Sequence, residues 1–251
     1  MLTRERKAYI LETLRRDRRI VAKTISQELR LSEDTIRRDL RELASEGLLQ
    51  RVHGGALPAS PAMADFTGRR HVSPEGKAAI GRAGARLVRP GQVVILDGGT
   101  TAVQLARHLA PDLRATIVTH SPHVAVELAE HGGIDVELIG GRLFKHSMVS
   151  VGAVASEAIA RVRADIYFMG VTGVHPDLGL TTGDSEEAAI KRALSRHAAE
   201  TIVLASREKL GAASPFVVAA LDEVDAIVVE GNLPDEMIDP YRRLGMSVIA
   251  A

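Results

Sequence analysis

Cysteine is missing from the 251 residues, so neither a disulfide framework nor a thiolate metal site can form, and the chain fits a reducing compartment. Nine histidines are present, but none stands in an H-E-x-x-H or comparable spacing, which disfavours metal-dependent hydrolysis. No P-loop and no G-x-G-x-x-G is found, so no nucleotide cofactor is expected. Apolar runs fall short of the roughly 18 to 20 residues that a membrane span needs. The amino-terminal Arg4-Glu5-Arg6-Lys7 leads into a charged helical pattern rather than the apolar stretch of a signal peptide. These absences predict a soluble, cytoplasmic protein with no membrane partner, no metal and no cofactor.

A net charge is missing as well, since 32 basic side chains balance 32 acidic ones. The balance hides an asymmetry. Through Leu57 there are thirteen Lys and Arg against nine Asp and Glu, a net of +4, and the remainder carries −4. A basic head on a neutral or acidic body suits a polyanion at one end. Hydrophobic residues make up 45% of the chain, enough for a buried core, and the length accommodates one large domain and one small one. Residues 58–75 hold Pro58, Pro61, Gly68 and Pro74 with little apolar periodicity and read as a linker between a head at 1–57 and a body at 76–251.

In the head, Ile10, Leu11 and Leu14 lie at helical spacing, and a second helix runs from about Ala22 to Leu29. After the turn at Arg30-Leu31, Ser32 caps a third helix that Gly47 stops, giving a helix-turn-helix. On that third helix Ile36, Leu40 and Leu43 form an apolar stripe, and Asp34, Arg37, Arg38 and Arg41 fall opposite. A helix anchored by the stripe holds its basic side outward, where its amino-terminal part, with Ser32 and Thr35, can enter a major groove. Guanidinium groups suit that place because they bond guanine with two donors or clamp a phosphate. Leu48 to Val52 alternates apolar and polar residues before Gly54-Gly55, the pattern of a wing that brings Arg51 and His53 near DNA phosphates. An arginine cluster alone reads more readily as a solvated face. Its position in a helix-turn-helix, in the basic part of the chain and just before a wing, favours double-stranded DNA.

In the body, seven apolar runs alternate with amphipathic stretches: Val93–Leu96, Thr116–Val118, Val136–Ile139, Ile166–Met169, Thr201–Leu204, Ala226–Val229 and Ser247–Ile249. That alternation predicts an α/β fold with a mostly parallel sheet covered on both faces. After the first run, Asp97, Gly98, Gly99, Thr100 and Thr101 form a glycine turn into a helix, whose free amides and hydroxyls suit a phosphate. Thr119-His120-Ser121, Gly140-Gly141-Arg142 and Gly170-Val171-Thr172 close the next three strands, and such loops converge on one crevice in an open α/β sheet. Lys145, Glu187, Lys191 and Lys209 offer charged contacts. Glu187 and Lys191, four apart, also read as an ordinary surface pair, and His120 as a packed or capping histidine. For proton transfer between adjacent carbons, Glu187 is the one nearby candidate base.

The signature Arg6, Ile10, Leu14 and Ser32-Glu33-Asp34-Thr35-Ile36-Arg37-Arg38-Asp39-Leu40, with Arg51-Val52-His53-Gly54-Gly55-Ala56, resembles the DNA-binding domain of the DeoR family of bacterial transcription regulators. Asp97 to Thr101, Thr119-x-Ser121, Gly140-Gly141, the block GLTTGDSEEAAIKRAL and Lys209-Leu210-Gly211 resemble that family's sensor domain. Ser206 stands where the family usually has aspartate, and His120 where asparagine is common. The resemblance implies a body similar in fold to ribose 5-phosphate isomerase that binds a phosphorylated sugar or related metabolite. It also implies a head that binds operator DNA, and thus a repressor of a carbohydrate-metabolism operon relieved by that metabolite. Two alternatives stand beside it: a sugar-phosphate isomerase with an appended DNA-binding head, and a DNA-binding protein whose body serves only for oligomerisation. Because helix-turn-helix heads commonly work in pairs, a homo-oligomer is expected.

Overall fold

The computed structural model describes residues 2–251. In the head, α1 (Thr3–Asp17), α2 (Ala22–Leu29) and α3 (Glu33–Ser45) surround a core of Ile10, Leu14, Ile25, Ile36, Leu40 and Leu43. Each such aliphatic side chain contributes about 1.5–3 kcal/mol on burial. Arg30, left-handed at φ 52°, turns the chain between α2 and α3. Ser32 caps α3 by accepting from the Thr35 amide at 3.2 Å, and Gly47 ends the helical path at φ 72°. Arg6 on α1 reaches Asp39 on α3 in a buried, two-pronged ion pair, with Nη2 to Oδ1 at 2.9 Å.

Next, β2 (Leu49–Val52) and β3 (Gly55–Pro58) form an antiparallel hairpin, and β3 also pairs with β1 (Ile20–Val21). Glycine is required at 55, because a Cβ there would lie 1.7 Å from the Ile20 carbonyl oxygen. This hairpin is the wing.

Residues 58–75, expected as a linker, are packed onto the body. A 3-10 turn (Pro61–Met63) and α4 (Phe66–Arg69) are each capped locally, Ser60 accepting from the Ala62 amide and Asp65 from the Gly68 amide. Ala62, Phe66 and Arg69 are buried. Phe66 stacks on His123 at 4.2 Å between ring centroids, and its amide donates to the His146 carbonyl at 2.8 Å. The prolines and the glycine mark tight turns here rather than slack chain.

The body opens with α5 (Pro74–Ala85), β4 (Val93–Leu96), α6 (Thr100–Arg107), β5 (Ala115–Thr119), α7 (Pro122–Leu128) and β6 (Ile134–Leu138). A hairpin of β7 (Arg142–Phe144) and β8 (Val149–Val151) follows, then α8 (Ala153–Ile159), β9 (Ala164–Gly170), β10 (Gly173–His175), β11 (Gly179–Thr182) and α9 (Ser185–Arg196). The chain closes with β12 (Ala198–Leu204), β13 (Phe216–Ala219), β14 (Ala226–Val229), α10 (Asp235–Arg243) and β15 (Ser247–Ala250). Seven strands pair in parallel in the order β15-β14-β12-β9-β4-β5-β6. Each of the seven apolar runs overlaps one of them; the third strand is displaced, starting at Ile134 and ending at Leu138.

Successive strand residues face opposite sides, and both sides are covered. Ile95, Tyr167, Met169 and Val203 pack with α8, α9 and α10, whereas Val94, Leu96, Phe168 and Leu204 pack with α5, α6 and α7. From β4 the chain proceeds to one edge through β5 and β6, and from β9 to the other through β12, β14 and β15. Between β4 and β9 the loops therefore leave in opposite directions and open a crevice at the carboxyl ends of the strands. The three-stranded sheet β10-β11-β13 stands beside that crevice.

Candidate functional site

The outward face of α3 lies opposite its buried Ile36, Leu40 and Leu43, and it exposes Ser32, Asp34, Arg37, Arg38 and Arg41. Thr35 is half-buried beside them, its Oγ1 2.9 Å from Ser32 Oγ. Arg37 is held by Glu33 at 2.7 Å and by Asp34 at 3.6 Å, exposed contacts of the kind worth about 0–1 kcal/mol and easily exchanged. Arg38, Arg41, Arg51 and His53 are exposed, and among the described residues none of them forms an ion pair. The Arg6–Asp39 pair fixes the helix that carries this surface to α1.

The second assembly lies at the sheet's crevice. Asp97, wholly buried, follows β4 and gathers five donors. Lys191 Nζ (2.6 Å), Tyr167 Oη (2.9 Å) and the Gly170 amide (2.8 Å) donate to Oδ2, while His120 Nε2 (2.8 Å) and the Gly98 amide (2.7 Å) donate to Oδ1. His120 Nδ1 faces the Ser150 carbonyl at 3.0 Å. Burial alone would raise the Asp97 carboxyl, but Lys191 and the bond from His120 outweigh it and hold the group below the usual carboxylate range. Burial likewise works to lower Lys191, yet Asp97 and Glu187 (3.3 Å) raise it above its ordinary value. Glu187 and Lys191 are therefore a buried pair beside Asp97, and the surface-pair reading does not hold.

Above this floor is a cleft lined by Gly98, Gly99, Thr100 and Thr101 after β4, Thr172 after β9, Glu187 and Lys191 on α9, and Lys209 after β12. Gly99, at φ 112°, precedes α6 without a side-chain cap, so the first-turn amides of that helix remain available. Three cations face the same space. Arg69 comes from α4, Lys77 from α5 and Lys209 from the segment after β12; all are buried, and among the described residues none forms an ion pair. Their donors reach only carbonyls: Arg69 to Ala62 (3.4 Å), Lys77 to Arg69 (2.7 Å) and Lys209 to Leu204 (3.2 Å). Burial pulls Arg69 and Lys77 below their ordinary values and takes Lys209 down to about 8. A buried charge without a counter-charge costs several kcal/mol, and an anion in this cleft would relieve that cost.

Of the residues expected in the ligand site, eight line this cleft: Gly98, Gly99, Thr100, Thr101, Thr172, Glu187, Lys191 and Lys209. Asp97, His120 and Ser121 are wholly buried and outside its lining. Gly141 stands apart, at φ 145°, where a Cβ would meet the Val151 carbonyl oxygen at 2.9 Å; it shapes the approach of β7 to β8 and α8. Sequence reasoning missed Arg69 and Ala62, because proline and glycine made their surroundings read as linker, and it missed Lys77 at the start of the body. Lys77 carries a signal in hindsight, as a lone lysine among Ala78, Ala79 and Ile80.

A winged helix-turn-helix joined to an α/β body with an anion-accepting cleft is the architecture of a DNA-binding regulator with a sensor domain. The DeoR-like helix-turn-helix domain model matches residues 6–61, and the DeoR C terminal sensor domain model matches residues 72–231. The HTH-type transcriptional regulator GlpR of Haloferax volcanii is 35% identical over 251 residues, covering 99% of this chain and 98% of that protein. The HTH-type transcriptional repressor GlcR of Bacillus subtilis is 33% identical over 94% of this chain and 91% of its own. The glycerol-3-phosphate regulon repressor of Escherichia coli is 28% identical over 90% of each. The chain belongs to the DeoR family of transcriptional regulators. It is a DNA-binding regulator, as its curated relatives are, and not an enzyme. Among solved structures, ribose 5-phosphate isomerase from Methanocaldococcus jannaschii aligns at 19% identity and a TM-score of 0.40 over 53% of this chain and 52% of that one, too distant to carry an argument. No helix among the described residues is long and apolar enough to cross a membrane.

Proposed function

We propose that this regulator represses a carbohydrate-metabolism operon and releases its operator when a phosphorylated sugar or related metabolite enters the body cleft. The observation that carries this reading is the set Arg69, Lys77 and Lys209: three buried cations without carboxylate partners, beside the uncapped start of α6. A phosphate supplies the missing negative charge and accepts from the amides of Thr100 and Thr101. Relatives named for a glycerol phosphate regulon and for regulation of other operons support the class of ligand without fixing its identity.

In this reading residues 1–57 are the DNA-binding unit and residues 76–251 the sensing unit. Ser32, Asp34, Thr35, Arg37, Arg38 and Arg41 present the groove-facing side of α3, while Arg51 and His53 on the wing touch phosphates. Two copies in a homo-oligomer set their heads about one helical turn apart on a palindromic operator in the cytoplasm. The ligand reaches the head through covalent continuity: β3 of the wing runs directly into the packed segment whose Ala62 and Arg69 line the cleft.

Fluorescence anisotropy with DNA from upstream of the protein's own operon tests this. The expected result is tight, sequence-dependent binding that weakens as a sugar phosphate is added. DNA binding indifferent to every phosphomonoester tried would remove the sensor reading, and no preference for that DNA over random sequence would remove the operator reading.

A further inference from the structure

Two buried side-chain oxygens among the described residues have no hydrogen-bond partner, and one of them, Thr182 Oγ1 at the end of β11, lies in the cleft. Thr182 is 0% exposed. Its polar neighbours are fully engaged. Thr181 Oγ1 donates to the Gly173 carbonyl (3.3 Å) and accepts from the Ser214 amide (2.9 Å), and Thr172 Oγ1 pairs with Ser214 Oγ at 2.7 Å. A hydroxyl offers one donor and two acceptor positions, and covering it with none of them used is unfavourable unless something else completes it. The other orphan, Glu208 Oε2, belongs to a side chain only partly buried.

The position of Thr182 tells which end of a ligand it meets. On one side in the chain, the Thr181 carbonyl takes the Thr172 amide at 3.0 Å; on the other, Asp184 caps α9 through the Glu187 amide at 2.9 Å. Thr182 thus stands on the wall of Thr172 and Glu187. A neighbouring cavity that shares Thr172, Glu187 and Arg69 with the cleft extends past Ser147 and Asp184, and another that shares Lys77 and Thr100 lies in the other direction. One wall offers hydroxyls and a carboxylate, which repels phosphate and accepts hydroxyl donors. The other offers cations and helix amides, which attract phosphate. The cleft itself has no aromatic lining among the described residues, while Phe66 borders the space beside Lys77 and Thr100, and Phe144 and His146 border the space beside Ser147.

We propose that Thr182 is a specificity-determining residue. Its Oγ1 bonds a ligand hydroxyl remote from the phosphate, so the ligand is a phosphomonoester of a hydroxylated carbon chain rather than bare phosphate. This rests on the effector reading given above. Calorimetry on the full chain tests it with inorganic phosphate, glycerol 3-phosphate, ribose 5-phosphate and glucose 6-phosphate as probes. The parent is expected to bind at least one of the esters more tightly than inorganic phosphate. Thr182→Val, which keeps the shape and replaces the hydroxyl with a methyl, lowers affinity for that ester about tenfold and leaves inorganic phosphate unchanged, while Thr182→Ser retains ester binding. An ester bound equally well by parent and Thr182→Val overturns the proposal, and so does an equal loss for ester and phosphate, which would mark Thr182 as structural. A parent that binds no ester better than inorganic phosphate overturns the effector reading itself, and this proposal with it.

Discussion

The arginines of α3 and the cations of the body cleft carry the same sign of charge in opposite surroundings. Arg38 and Arg41 stand in solvent, where they keep their hydration and cost folding little. Arg69, Lys77 and Lys209 are covered and have carbonyls as their only partners. An exposed cation meets any polyanion, and its contribution fades as salt rises. A buried, unpaired one weakens the empty protein and is relieved by an anion small enough to reach it. Arg6 is the third case: buried like the cleft cations but matched by Asp39, so its charge goes into holding α1 to α3.

The comparison breaks most visibly at that matched pair. Asp39→Ala leaves Arg6 covered and alone, and we expect a loss of about 3–5 kcal/mol in the stability of the head. Amide exchange should show the loss confined to residues 2–58; protection unchanged there would mean the pair does not fix α3. Of the exposed arginines, Arg37→Ala should cost about 1–3 kcal/mol of preference for operator over random DNA, whereas Arg51→Ala on the wing should weaken both and lower the salt slope by about one. Identical salt-dependent binding curves for Arg37→Ala and the parent would place Arg37 away from the bases.

Lys209→Met should act with the opposite sign to Asp39→Ala: it removes an unmatched buried charge and should raise stability without ligand by about 1 kcal/mol while weakening phosphate binding. A lower denaturant midpoint would show that the lysine is compensated after all. The smallest effect is one of pH. Lys209 titrates near 8 in the folded chain against an ordinary 10.5, so it destabilises the fold fully below pH 8 and progressively less as pH rises towards its ordinary value. The charge needed to attract an anion is lost over that same rise. Calorimetry with inorganic phosphate should therefore show affinity falling relative to Lys209→Met as pH rises from 7 to 9, and parallel profiles for the two proteins would exclude Lys209 from the phosphate end.

Much of the architecture was legible because period and polarity agreed over long enough stretches. Val93–Leu96 and Ala226–Val229 are unbroken apolar runs, as strands covered on both faces require. Ile36, Leu40 and Leu43 repeat at helical spacing. The short strands β7, β8, β10 and β11 escaped because their three or four residues mix apolar side chains with polar ones or glycine, so neither a run nor a period stands out. The cleft was legible where chemistry sits on a strand-to-helix turn, as at Gly98 to Thr101, and illegible where it depends on tertiary packing. Arg69 and Lys77 acquire meaning only when α4 folds over the sheet, and Asp97 proved to be a buried anchor because five donors from two loops, one strand and one helix close on it. Nothing local to Asp97 foretells that.

That anchor has a mechanical consequence. Asp97 ties the ends of β4 and β9 to the turn after β5 and to α9 through one carboxylate. Sliding any of these past another would strand a buried charge, so the base of the chamber behaves as a rigid block. Over that block lies its roof, the stretch holding Ala62 and Arg69, and that roof is spliced to the wing. Under the proposed function, a ligand that draws on Arg69 would pull along the backbone on β3, with no demand that the sheet beneath it bend.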